Sequence, residues 1–234
     1  MMQKPDELPA FDDAGRNLVD PNDRSGFKTD YISLIQSKAL AEYVGQGVGG
    51  LALDVGCGYG RMSGVLHSLG WNTVGLDPSL RILKAAKKNL SEPHWCCGGL
   101  PDMPFARASF DLVVLQNLLR ALHLHGELGL VEGVSELIKG NGRVVVVDNI
   151  RDGHSSYVPE RWIVEKFEAD GLKLIRRVAI RKARWWGIYA VRYGLIPKSL
   201  HERLANFELR RMAKKTANPR WQYYNVMYVF QRAA

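Results

Sequence analysis

The period of the apolar positions changes repeatedly along the chain, and each change marks an element. In TDYISLIQSKALAEYV, residues 29–44, Ile32, Ile35, Leu40 and Val44 recur at helical spacing, and Thr29 or Asp30 can cap the start. GGLALDV (49–55) reads as a short strand, GRMSGVLHSLG (60–70) as a helix closed by Gly70, and WNTVGLD (71–77) as a strand. PSLRILKAAKKNL (78–90) is a helix opening on Pro78 and Ser79, and PHWCCGG (93–99) is another short strand. SFDLVVLQN (109–117) carries an apolar run suited to a strand buried on both faces. The spacing predicts a helix over LGLVEGVSELIKG (128–140), a strand over GRVVVVDN (142–149) and a helix over PERWIVEKFEADG (159–171). Two more strands follow, LKLIRRVAI (172–180) and QYYNVMYVFQR (222–232).

Strands and helices therefore alternate from Gly49 to about Ile180, the pattern of an α/β fold with a parallel sheet covered on both faces. Residues 1–28, polar and rich in Asp, Pro and Asn, read as an irregular segment, and 29–234 as one domain. Its last strand follows a segment, 181–220, that is not a plain crossover helix. After Pro197, Ser199-Leu200-His201-Glu202 has the form of a capping box. Leu200, Leu204 and Phe207 then predict an amphipathic helix docked on the domain, with Arg203, Arg210, Arg211, Lys214 and Lys215 on its other faces.

Composition narrows the class. The 234 residues are 46% hydrophobic, ample for a core, and no apolar run approaches the ~20 residues that span a bilayer. The first residues, MMQKPDELPAFDDAGRN, lack the apolar stretch of a secretory signal. Cys57 and the adjacent Cys96 and Cys97 have no disulfide-framework or zinc-ligand spacing, which fits a reducing cytoplasm. The formal charge of +8 is uneven: Arg176 to Arg220 holds thirteen Lys or Arg against Glu202 and Glu208, a local +11, leaving −3 elsewhere. That points to one surface facing an anion. The partner could be a small acidic molecule or glycan, an anionic membrane met by Trp185, Trp186 and Tyr189, or RNA. No RNA-binding module is recognisable, so nucleic acid ranks last. The predicted location is cytoplasmic, with the inner face of a membrane as the peripheral alternative.

The chemistry centres on LALDVGCGYGRMSGVL (51–66), where Gly56, Gly58 and Gly60 alternate between the first strand and a helix. At the first strand-to-helix turn of a doubly wound sheet, such glycines let the backbone approach a nucleotide cofactor. A dinucleotide fingerprint beginning at Gly56 needs glycine at 61, where the chain has Arg61. Asp54, two residues before the first glycine, suits an amine-bearing ligand better than a pyrophosphate.

Asp54-Val55-Gly56-Cys57-Gly58-Tyr59-Gly60 resembles motif I of the class I S-adenosylmethionine-dependent methyltransferases. VGLDPS, GGLPDMPFARASFDLVV and LIKGNGRVVVVDN continue the resemblance in order over about residues 29–180. It implies a doubly wound seven-stranded sheet (Rossmann-like) with the last strand antiparallel and the basic insertion before it. It also implies S-adenosylmethionine as cofactor. The expected cofactor neighbours are Asp54, Gly56, Cys57, Gly58 and Gly60; Asp77, on the ribose hydroxyls, with Pro78; Gly99 and Leu100; Gln116 and Asn117; and Tyr31 as a lid residue from the first helix. Gly99 stands where the family often has an adenine-binding Asp, a contact that Asp102 would have to replace.

Methyl transfer from a sulfonium is an in-line displacement that needs alignment and, for a hydroxyl nucleophile, a base. His123, His125 and Tyr157 are the base candidates, with His154 and Glu160 nearby in sequence. Arg120, Tyr157, Trp185 and Trp186 are the expected acceptor contacts. Asp148-Asn149 resembles the pair that holds Mg²⁺ in catechol-type relatives, but Gln116 is neutral where such a site needs a carboxylate, so no metal is expected. The expected function is methylation of an oxygen, or less readily a nitrogen, of an anionic small-molecule, glycan or lipid-linked acceptor. An RNA methyltransferase and a non-catalytic nucleoside-binding scaffold are the alternatives. The sequence leaves the oligomeric state open.

Overall fold

In a computed structural model, β1 (Leu51–Val55) is buried almost throughout. It pairs in parallel with β2 (Asn72–Asp77) on one side and β4 (Phe110–Gln116) on the other. The structure describes Asp23 and residues 25–183, 185–213 and 222–232. Most of the segment read as irregular, and Lys214 and Lys215, therefore lie outside the described residues. β3 (His94–Cys97) flanks β2, and β5 (Ile138–Ile150) flanks β4, again in parallel. β6 (Leu172–Lys182) and β7 (Tyr224–Arg232) complete a seven-stranded sheet in the order β3-β2-β1-β4-β5-β7-β6. β7 is inserted antiparallel between β5 and β6, as the resemblance implied.

The helices are α1 (Phe27–Val44), α2 (Arg61–Ser68), α3 (Leu80–Asn89), α4 (Leu118–His125), α5 (Glu160–Ala169), α6 (Trp186–Arg192) and α7 (Lys198–Ala213). The run of four valines in β5 shows why the sheet has cores on both sides. Val145 and Val147 join Ile35, Leu66 and Ile188 of α1, α2 and α6, while Val144 and Val146 join Leu119, Ile163 and Phe167 of α4 and α5. A strand covered on both faces needs no polar alternation.

Three details differ from the sequence reading. Residues 128–140 do not form an α-helix. Leu128–Val131 and Val134–Leu137 are separate 3₁₀ turns, with Gly133 at φ +83° between them, and Ile138 already belongs to β5. The apolar residues Leu128, Val131, Val134 and Leu137 recur every three positions, the 3₁₀ period, and all pack into one core. Leu118–His125 form α4, where the sequence reading places no element. α7 starts at Lys198, so Ser199 sits inside the helix rather than capping it, and Glu202 pairs with Lys38 of α1 at 2.8 Å. Its buried stripe is His201, Ala205, Glu208 and Met212, whereas Leu200 and Phe207 face solvent.

Candidate functional site

Gly56, Gly58 and Gly60 all have left-handed backbones, at φ +68°, +53° and +78°, a region that costs side-chain-bearing residues energy. Their surroundings differ. A Cβ on Gly56 would press on Leu118, and one on Gly60 would fall inside the Trp95 indole, but one on Gly58 would meet nothing within 4 Å. Two glycines therefore make room for the protein's own side chains, and the middle one leaves the turn open. The turn is held from β2: the N–H groups of Gly56 and Cys57 donate to the Leu76 carbonyl at 2.8 and 3.0 Å. Asp77 accepts from the Gly58 and Ser79 N–H groups, both at 2.9 Å, and so joins the glycine turn to the start of α3. Burial raises the pKa of its carboxyl, against the pull of those two amides.

Beside this turn lies a cavity of about 450 Å³, within the usual range for small-molecule sites. It opens where β1, β4 and β5 end and β7 begins. Lys28, Ile32 and Gln36, four residues apart on α1, form one wall; Asn117, Arg120, Ala121 and Leu124 of α4 and its start form another. Asn149, Arg181, Tyr223 and Asn225 close the far side, and Cys57, Gly58, Tyr59 and Arg61 the near one. A chain of amides crosses this wall. Asn225 Nδ2 donates to Asn149 Oδ1, and Gln36 Nε2 donates to Asn225 Oδ1. Gln36 Oε1 accepts from both Gln116 Nε2 (2.7 Å) and Arg61 (2.6 Å). Among the described residues, four cations, Lys28, Arg61, Arg120 and Arg181, line the cavity, and no carboxylate does.

Several expected site residues lie elsewhere. Tyr31 turns away from the cavity; it is fully buried and donates to Glu208 of α7 at 3.1 Å. A lid role would place it over the crevice, and Lys28, Ile32 and Gln36 occupy that position instead. Their i, i+4 spacing was available in the sequence. Asp54 is wholly buried, accepts a 2.7 Å bond from Ser63, and braces α2 against β1; burial lifts its carboxyl to about 6. Trp185 is 3% exposed and packs in the core with α6, while Trp186 is 68% exposed; neither lines the cavity. Of the base candidates, His123 shares a 2.8 Å hydrogen bond with the Ser155 carbonyl and His125 faces solvent, both off the cavity. Tyr157 lines a smaller cavity next door. Gly99 approaches Pro78, and Cys97 and Gly98 bond to Pro78 and Asp77 backbone oxygens, so these residues gather at the ends of β2 and β3. Asp102 is exposed.

Asp148 is the residue whose role the sequence hid. It is fully buried, accepts the Arg120 N–H at 2.9 Å and the Asn149 N–H at 2.7 Å, and so caps α4 from a neighbouring strand. Burial raises its carboxyl to about 6. It fixes a helix end rather than facing the cavity. Among the described residues, no three His, Cys, Asp or Glu side chains are placed to hold a metal ion.

Residues 53–146 match a methyltransferase-domain family. Over that stretch the chain is similar to the class I S-adenosylmethionine-dependent methyltransferases. An uncharacterized methyltransferase of Synechocystis sp. is 31% identical over 111 residues, 47% of this chain and 49% of that one. The demethylmenaquinone methyltransferase of Renibacterium salmoninarum is 28% identical, over 70% of this chain and 67% of that one. This chain thus spans from about half to two thirds of the length of these curated relatives. The geranyl diphosphate C-methyltransferase of Streptomyces coelicolor A3(2), solved with S-adenosyl-L-homocysteine, superposes with a TM-score of 0.58 at 16% identity. That match covers 85% of this chain and 78% of the other. A [4+2]-cyclase superposes equally well, at 0.60 and 14% identity, over 85% of this chain and 80% of its own. At these identities the methyltransferase fold is shared, and chemistry must be argued from the site.

The residues at the crevice fit S-adenosylmethionine, the cofactor of the enzymes that the chain resembles. Gln116 Oε1 and Asn117 Oδ1, at the end of β4, are buried without hydrogen-bond partners among the described residues. They are acceptors suited to an ammonium. Asn117, at φ +54°, is held at that spot in a conformation unusual for a residue with a side chain. The cations beside it suit a carboxylate, and the open Gly58 leaves the approach clear.

Proposed function

We propose that this methyltransferase alkylates an ionised oxygen of an anionic small-molecule acceptor bound in the 450 Å³ crevice. The carrying observation is the lining, which among the described residues has four cations, no carboxylate and no histidine. Asp77 would hold the ribose of S-adenosylmethionine, with Pro78, Gly99 and Leu100 at the adenine end. Gln116 and Asn117 would meet its ammonium. The bound cofactor supplies a methyl group on sulfonium sulfur; the oxygen–carbon bond forms as the carbon–sulfur bond breaks, and sulfur keeps the electron pair.

The residues of the wall set which acceptors react. Burial raises the pKa of Cys57 and Tyr59, so neither takes up a proton from an acceptor at neutral pH. The cations instead stabilise an acceptor that arrives as an anion, such as a carboxylate or an acidic phenol. The amide chain from Asn149 to Gln116 fixes α1 against β4, β5 and β7, and with them the approach direction.

The outer surface supports delivery of an amphiphilic acceptor from an anionic membrane. Trp186 and Tyr189 of α6, and Tyr193 just after it, are exposed, whereas Gly187, Ile188 and Val191 are buried. On α7, Leu200, Arg203, Phe207 and Arg210 form an exposed stripe, alternating large apolar groups with cations. Such a pattern suits an anionic lipid interface. No helix among the described residues is long and apolar enough to cross a membrane.

Calorimetry with S-adenosylhomocysteine tests the cofactor assignment. Asp77→Ala is expected to weaken binding by about a hundredfold, roughly 2.7 kcal/mol, in a protein that still folds. Wild-type protein that fails to bind S-adenosylhomocysteine, or an unchanged affinity in the variant, defeats the assignment. A screen of carboxylate and phenol acceptors with labelled methyl donor then identifies the acceptor.

A further inference from the structure

A second cavity of about 250 Å³ adjoins the crevice and is lined by Lys28, Arg151, Tyr157, Ala183, Tyr189, Gln222 and Tyr223. Lys28 and Tyr223 line both cavities, so the two are neighbours along one rim. Their common wall is an aromatic stack. Tyr157 lies on Tyr223 at 5.7 Å, nearly parallel; the Arg120 guanidinium sits 5.0 Å from the Tyr157 ring, and that of Arg181 5.9 Å from Tyr223. Arg120 is tied back by a 3.1 Å bond from Nε to the Ser156 carbonyl.

Arg151 follows β5 directly, and its Nε, like that of Arg181 on the shared wall, is buried with no hydrogen-bond partner among the described residues. A guanidinium N–H removed from water without an acceptor is costly. Among the described residues, no carboxylate lines this cavity either. Its lining includes Lys28, Arg151 and three tyrosines, residue types that suit an anion with several oxygens, such as a phosphoryl group.

We propose that this second cavity is a phosphoryl-binding subsite, anchored by Arg151 and Lys28, which holds the phosphate or diphosphate of the acceptor while its methyl-accepting oxygen reaches the crevice past Tyr223. The proposal rests on the methyltransferase reading and sharpens its substrate class: a phosphorylated, bifunctional acceptor. The adjoining Tyr189 is one of the exposed residues of α6, so the phosphoryl group could be carried by a soluble ester or by an amphiphile at a membrane.

Titration of the full chain with inorganic pyrophosphate, against sodium chloride of matched ionic strength, tests the subsite. Thermal stability and calorimetry are the readouts. A saturable rise in Tm is expected, with at least tenfold weaker pyrophosphate binding in Arg151→Met and intermediate binding in Arg151→Lys. S-adenosylhomocysteine affinity should be unchanged in both variants. A monophosphate ester of a long-chain alcohol, kept below its micelle concentration, binds more tightly than inorganic phosphate if the source is an amphiphile and equally if it is soluble. Pyrophosphate acting no differently from chloride, or binding equally well to Arg151→Met, overturns the subsite even where S-adenosylhomocysteine binds normally. Failure of S-adenosylhomocysteine to bind wild-type protein strikes the methyltransferase reading instead.

Discussion

Replacing Gly58 and Gly60 by alanine, one at a time, separates the two jobs of the glycine turn. Both positions have positive φ, so each alanine bears the left-handed penalty of roughly 1–2 kcal/mol. At Gly58 nothing lies within 4 Å of the new methyl, and the penalty ends there. At Gly60 the methyl would overlap the Trp95 ring, which is also packed against Gly75 and cannot withdraw freely. Overpacking adds roughly 1–3 kcal/mol, so Gly60→Ala should cost roughly 2–5 kcal/mol in all. Urea denaturation measures both, and a cycle with Trp95→Leu assigns the excess to the ring. Binding runs the other way. The Gly58 methyl projects into open space at the crevice and should weaken S-adenosylhomocysteine by about tenfold or more, roughly 1.4 kcal/mol. Equal destabilisation at the two positions, or an excess at Gly60 that survives in the Trp95→Leu background, would refute the division.

Glu208 supplies a pH test. Burial raises its carboxyl to about 7 from 4.5, against the lowering effects of Arg181, Arg211 and Lys182 and of the Tyr31 hydrogen bond. The folded chain therefore binds a proton that the unfolded chain has released, and stability falls as pH rises from about 4.5 to 7, by roughly 3 kcal/mol. Glu208→Gln, which keeps an acceptor for Tyr31, should flatten the 6–7 part of a urea-stability profile and be the more stable form at pH 8; an unaltered slope contradicts it. Sedimentation with vesicles of phosphatidylglycerol in phosphatidylcholine should pull down wild-type protein at low salt and release it at high salt. Trp186→Ser with Phe207→Ser should abolish that binding and leave the fold intact, whereas Trp185→Ala, in the core, should cost about 3–5 kcal/mol; wild-type protein left in the supernatant at low salt ends the membrane reading.

The strand–helix alternation and the glycine turn were written in local pattern, because each depends on neighbours within a few residues. LALDV and the valines of β5 follow from spacing alone, whereas α3, read as opening on Pro78, starts at Leu80 with Ser79 Oγ accepting the Ile82 N–H as its cap. Where the same apolar residues serve two periods, sequence misleads. Positions 128, 131, 134 and 137 satisfy a helical count, but packing against β4 and β5 selects a tighter turn.

Side-chain roles depended on which face of an element meets which neighbour. Tyr31 and Gln36 share α1, yet one turns to Glu208 and the other to the crevice. Asp148 reads as a strand end and caps a helix through Arg120, 28 residues away in sequence. The sequence by itself determined the sheet, its glycine turn and the excess of positive charge near the C-terminal end. Only the tertiary structure decided which cations line the crevice and which face solvent, because burial is a property of packed surfaces and leaves no period in the chain.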